Sequence, residues 1–142
     1  MLASIRQAVQ AGLPTTAECG GFLYLGRSLE DADGKAWPMA DVLPGDGIRV
    51  GRLVRFGYAE MTAKADSMLF CAGETLPIHE FHHWDSTANG TAFTACKNEK
   101  CSGNAALQTR ISMRGFPHLY WAGTPLPGRF VRAAERYSKT KG

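Results

Sequence analysis

The segment G-L-P-T-T-A-E-C-G-G-F-L-Y-L, residues 12–25, constrains the fold more than any other stretch. A short run of strand-forming residues ends at Cys19. Two glycines follow, and Phe22 and Leu25 then fall at helical spacing. Strand, sharp turn and helix packed this closely give the layout of a nucleophile elbow. Such a turn needs small neighbours, and Ala17, Gly20 and Gly21 are small. The Cys19 thiol would then project from a sheet at a helix N-terminus, where the dipole and free backbone N–H groups favour thiolate over thiol. The Gly20 N–H would point to where an oxyanion forms. The same residues also fit a small, buried, inert cysteine beside a plain turn.

The chain has 142 residues, enough for one domain with a real core but not for two large ones. Its formal charge of +3 is spread along the sequence apart from a basic tail from Arg136 to Lys141, which reads as a solvated end. Nucleic-acid readers concentrate basic residues on one face, so no nucleic-acid partner is expected. No apolar run approaches the roughly 18 residues of a membrane span, and the first residues, M-L-A-S-I-R-Q-A-V-Q-A-G, lack a signal-peptide layout. A cytoplasmic location without membrane contact is expected. The unevenly spaced Cys19, Cys71, Cys96 and Cys101 are accordingly expected as thiols.

Periodicity predicts a helix over 2–10, stopped by Gly12, a strand over 13–17 and a helix over 22–29. Residues 37–47, rich in Pro and Gly, read as a loop. Short β-type runs follow at 48–56, 58–63, 78–84 and 91–97, separated by Gly, Asn and Asp. Residues 116–122 read as a buried strand, and Pro125 and Pro127 lead into a helix over 129–137. Strand–helix units at both ends and strands in the middle predict an α/β domain with a mixed sheet.

His79-Glu80-Phe81-His82-His83 matches H-E-x-x-H, the zinc-protease pattern, which requires a helix. Pro77 lies just before it and Asn89-Gly90 just after, and the residues between are strand formers. On a strand, His79 and His83 lie about 13 Å apart at ~3.3 Å per residue and could not hold one ion. His79, Phe81 and His83 would face one way, and Glu80, His82 and Trp84 the other. A cysteine nucleophile works with a histidine brought near in space. His118, in G-F-P-H-L-Y-W-A-G, stands near the start of a predicted strand, where such groups collect in α/β sheets. A satisfied core histidine fits the same position.

Taken together, the elbow segment, F-G-Y at residues 56–58, H-E-F-H-H-W-D-S at 79–86 and G-F-P-H-L-Y-W-A-G at 115–123 resemble one family. It is the glutamine amidotransferase domain of cobyrinic acid a,c-diamide synthase, of the cobalamin-synthesis branch of class I amidotransferases. The resemblance runs over almost the whole chain and implies a class I amidotransferase-like (flavodoxin-like) α/β fold. It implies that Cys19 is the nucleophile and His118 its partner. The thiolate would attack the side-chain amide of glutamine, His118 would protonate the departing ammonia, and water would hydrolyse the thioester. Ammonia would pass to a synthetase domain that uses ATP and Mg2+ to activate the a and c carboxylates of cobyrinate. One face of the 78–84 strand would line the pocket near Cys19.

Many class I amidotransferases place a glutamate two residues after the histidine, but Tyr120 stands there. The cobalamin branch generally lacks that acid as well, so a Cys–His dyad is implied. Glu18 and Glu80 are candidates to orient a ring or a substrate ammonium, and His79 is a further pocket candidate. No phosphate loop G-x-x-x-x-G-K-[ST] occurs, so ATP and Mg2+ are not expected on this chain, and no cofactor is expected in it. The family's early amidotransferase strands and Pro-Gly-Gly loop are also missing. Residues 1–142 are therefore read as the C-terminal portion of an amidotransferase domain, with an uncovered sheet edge prone to self-association. A sirohydrochlorin-type acceptor would share all four motifs. Two other classes fit the residues: a non-catalytic docking or regulatory relative, and a zinc domain built on Cys71, Cys96, Cys101 and the histidines. Cys96-x-x-x-x-Cys101 is one residue too long for a common zinc knuckle, and no metal is expected.

Overall fold

A computed structural model describes residues 1–97, 100–109 and 112–140. The first helix, α1 (Leu2–Gln10), sets Leu2 and Ile5 against the core around α2. It ends where Gly12 takes φ +91°, a conformation that glycine adopts without cost, and Leu13 N–H caps the Ala8 carbonyl. Strand β1 (Thr15–Glu18) leads through Cys19 into α2 (Gly20–Tyr24).

The predicted helix over 22–29 is shorter than expected. Residues 28–30 belong to a strand, β2 (Ser28–Glu30), which pairs antiparallel with β3 (Ala36–Pro38), a strand that runs into the start of the loop predicted over 37–47. The physical reason lies at Gly26 and Arg27. A Cβ on Gly26 would stand 2.7 Å from the Gly45 carbonyl oxygen, and Arg27 already donates its N–H to that oxygen at 2.8 Å. Backbone groups committed to a neighbouring loop cannot continue a helical ladder.

The middle of the chain supplies β4 (Gly47–Arg49), β5 (Arg55–Ala63), β6 (Thr75–His82), β7 (Trp84–Ser86), β8 (Phe93–Lys97) and β9 (Lys100–Ala105). The predicted runs at 48–56 and 58–63 re-divide: the first splits, and its end merges with the second into β5. β10 (Leu107–Thr109) and β11 (Ser112–Gly115) follow. The buried strand predicted over 116–122 is confined to β12 (His118–Leu119), which begins after Pro117 and gives way to a turn in which Thr124 N–H donates to the Trp121 carbonyl at 3.3 Å. The last helix is α3 (Leu126–Lys139), with Pro127 in its first turn as its fixed φ allows.

Among the described residues the strands form three sheets, ordered β1-β11-β10, β12-β6-β5-β8-β9 and β3-β2-β4-β7. β1 runs parallel to β11 and stands at one end of its sheet. The architecture is mixed α/β, as expected, with mixed strand directions. One apolar core lies between the β5–β6–β8 strands, the 68–70 loop and α3, centred on Met61, Leu69, Phe70, Phe93 and Leu126. A second gathers Phe22, Leu25, Leu43 and Phe116 around α2.

The expectation of four thiols is corrected. Cys96 is disulfide-bonded, and the β8–β9 register sets Cys101 opposite it. Cys19 and Cys71 are free. A hairpin that puts two cysteines in one cross-strand pair makes their sequence spacing uninformative. With Cys96 in a disulfide, it is not available as a thiolate ligand for zinc. No helix is long and apolar enough to cross a membrane among the described residues.

Candidate functional site

Cys19 occupies a strained elbow. Its φ is 49° and ψ −111°, a region side-chain-bearing residues rarely enter. The strain is held from both sides. Cys19 N–H donates to the Gly115 carbonyl at 2.8 Å, and the Cys19 carbonyl accepts from Leu23 at 3.1 Å. The crowding expected around the turn is only partly seen. A Cβ on Gly21 would meet Ala17 at an ordinary 3.7 Å, and one on Gly20 would meet open space.

The electrostatics differ from the expected thiolate. Burial pushes the Cys19 thiol up, a hydrogen bond from Gly20 N–H pulls it back, and the Glu18 and Glu80 charges push it further up. The net direction is upward because burial outweighs the single Gly20 N–H and the two nearby carboxylates add to it.

The strand reading of H-E-F-H-H is borne out over residues 79–82, which lie in β6. Burial alternates along it: Ile78, Glu80 and His82 are buried, while Phe81 is exposed. His79 and His83 are therefore not set for one metal, and no group of three or more His, Cys, Asp or Glu side chains is placed to hold a metal among the described residues. Both faces of β6 reach the elbow region. From the buried face, Glu80 acts on Cys19 and pairs with Arg55 at 3.5 Å. From the other face, His79 stands opposite His118 in the β6–β12 register. His82 is stacked on Phe116, ring centres 3.9 Å apart, and its Nδ1 lies 2.7 Å from the Trp84 carbonyl oxygen.

His118 is not a core histidine. Its side chain is 45% exposed, and its Nδ1 lies 3.6 Å from Glu18 Oε2. It opens onto a cavity of about 420 Å³ whose walls include Tyr58, Ile78, His79 and Tyr120. Glu18 is therefore the residue that links the elbow to the histidine. It precedes Cys19 on the chain and is held by Trp121 Nε1 at 3.0 Å and by Leu119 N–H at 3.4 Å. Sequence reasoning missed Trp121 and Arg55. An indole N–H near a buried site requires an acceptor, but no spacing rule joins residues 18 and 121.

Residues 1–116 match the model of the CobB/CobQ-like glutamine amidotransferase domain. The chain belongs to the CobB/CobQ-like glutamine amidotransferase family. Family membership covers Cys19, Glu18, His79 and Glu80, and the matched region stops two residues before His118. Cobyrinate a,c-diamide synthase of Salmonella typhimurium is 35% identical over 130 residues, covering 88% of this chain and 28% of that protein. The enzyme of the same name from Picrophilus torridus is 32% identical, covering 91% of this chain and 28% of its own length. That from Thermoplasma volcanium is 28% identical over 97% of this chain. The chain thus spans a little over a quarter of the length of these curated relatives.

Proposed function

We propose that the chain is the glutaminase part of a cobyrinate a,c-diamide synthase. Cys19 attacks the side-chain amide carbon of glutamine, and the C–N bond breaks as His118 delivers a proton to the leaving ammonia. Water, with His118 as base, then cleaves the glutamyl thioester and releases glutamate. Gly20 N–H turns from the sulfur to the oxyanion as charge moves onto the substrate oxygen. The raised thiol fits a nucleophile that gives up its proton only as the histidine takes it.

The observation that carries this reading is the pairing of a strained cysteine elbow with an exposed histidine tied to the residue before it. A docking relative would have no use for the strain at Cys19. Ammonia would serve amidation of the a and c carboxylates of cobyrinate, in keeping with the names of the relatives, and activation of those carboxylates with ATP and Mg2+ would fall to a separate synthetase domain.

A diazo-ketone analogue of glutamine tests the reading. Mass spectrometry should find Cys19 modified before Cys71, with excess glutamine protecting it and Cys19→Ala abolishing the adduct. Equal modification of Cys19 and Cys71, unaffected by glutamine, would sink the proposal.

A further inference from the structure

Building on the glutaminase reading, we infer that Glu18, the residue immediately before the nucleophile, is the positioning acid for His118. The position where an acid would follow the histidine by two residues carries Tyr120, which is 63% exposed and bears a phenol in place of a carboxylate. The carboxylate comes instead from the end of β1. Glu18 Oε2 lies 3.6 Å from His118 Nδ1. Contraction by roughly half an ångström would make this a charge-assisted hydrogen bond, and such bonds often tighten only when substrate is bound.

The carboxylate is fixed independently of the histidine. Trp121 Nε1 holds Oε1 at 3.0 Å, and Leu119 N–H approaches Oε2 at 3.4 Å. A held acceptor facing Nδ1 selects the Nδ1–H tautomer and leaves the Nε2 lone pair free to take the thiol proton. Glu80 is excluded from this role. It lies on the buried face of β6 and is committed to Arg55, whereas the β6 residue opposite His118 is His79. Among the described residues, the other ionisable side chains lining the cavity beside His118 are His79 from β6, Tyr58 from β5 and Tyr120.

The elbow gains a specific economy from this arrangement. One dipeptide, Glu18-Cys19, supplies both the nucleophile and the anchor of its base.

Nitrogen-15 spectra of the 142-residue chain, with His118 assigned through His118→Gln, read the tautomer without any substrate. The wild-type chain should show Nδ1–H. Glu18→Leu should lose that preference and lower the rate of Cys19 modification by the diazo-ketone at least about tenfold at saturation, with the half-saturating concentration little changed. Glu18→Gln, which keeps an acceptor oxygen, should retain the tautomer. Trp121→Phe, which frees one carboxylate oxygen, should weaken it. An unchanged His118 tautomer in both Glu18→Leu and Trp121→Phe would overturn the inference. Failure of the glutaminase reading shows differently: the Nδ1–H tautomer and its loss in Glu18→Leu persist, but Cys19 is not selectively modified.

Discussion

The backbone N–H of Cys19 donates to the carbonyl of Gly115 at 2.8 Å, continuing the parallel β1–β11 ladder one step into the elbow. Gly115 also packs tightly against Ala106, and it can do so because it carries no side chain. A Cβ there would lie 2.6 Å from Ala106 Cβ and 2.9 Å from Ala106 Cα. Ala106 is buried with φ 57°, so the obstruction is backbone and cannot swing away. Gly115→Ala should therefore destabilise the fold by about 1–3 kcal/mol, the usual cost of overpacking. Urea unfolding followed by circular dichroism checks this, and a midpoint equal to that of the parent would show that Ala106 can give way to a methyl group at residue 115.

Backbone strain at Cys19 predicts a trade between stability and chemistry. The φ of 49° with ψ −111° is readily available to glycine alone. Cys19→Gly should abolish reaction with glutamine analogues yet raise stability by about 1 kcal/mol, after allowing for the lost sulfur contacts. The urea midpoint should rise with an unchanged slope. A lower midpoint would mean that packing of the sulfur outweighs the strain.

Much of this site was legible in the sequence, because its chemistry sits in short segments. The small residues around Cys19 and the apolar spacing after it announce strand, turn and helix, and the strand formers around His79 rule out a zinc helix. What was not legible depends on pairing between distant segments. The role of Glu18 comes from contacts with Leu119 and Trp121, about a hundred residues away. The early end of α2 comes from Gly26 meeting Gly45, and the placement of Cys96 in a disulfide from the pairing of β8 with β9. The thiol's upward shift follows first from burial, with the charges of Glu18 and of Glu80, which arrives on a separate strand, adding to it. Periodicity reports which face of an element is apolar, but not which element will lie opposite it.

Arg129 anchors α3 to the far end of the β5–β6 hairpin. Its guanidinium donates to the Leu69 carbonyl at 2.6 Å and to Glu74 at 2.5 Å. Arg129→Ala removes two bonds that include a charged donor and should cost about 1.5–3 kcal/mol. The pair also sets an acid limb. Burial alone would raise the Glu74 carboxyl, but Arg129 and the Cys71 N–H together hold it below its ordinary value. A depressed carboxyl contributes stability above its unfolded pKa and loses it as pH falls through the folded one. The parent should therefore lose stability below about pH 4.5 more steeply than Arg129→Ala does. Parallel acid titrations of the two proteins in urea read the difference, and identical limbs would remove Glu74 from the account.

At the alkaline end the sign reverses, through Cys19. Burial, opposed by the Gly20 N–H and reinforced by Glu18 and Glu80, holds its thiol above the ordinary value of 9.0. The folded chain then keeps a proton that the unfolded chain has released, so stability falls as pH rises from about 9 through the folded value and is flat below it. Cys19→Ser, whose hydroxyl does not titrate in this range, should abolish that part of the alkaline loss. The same shift governs reactivity. A small neutral alkylating agent at pH 8 should modify exposed Cys71 before Cys19. Glu80→Gln removes one of the opposing charges and should raise the Cys19 rate at fixed pH while leaving that of Cys71 unchanged. Rates measured by mass spectrometry for the two thiols in one sample make the comparison internal. Faster modification of Cys19 than of Cys71 at pH 8 in the parent would show that the elbow N–H groups outweigh burial and the two carboxylates.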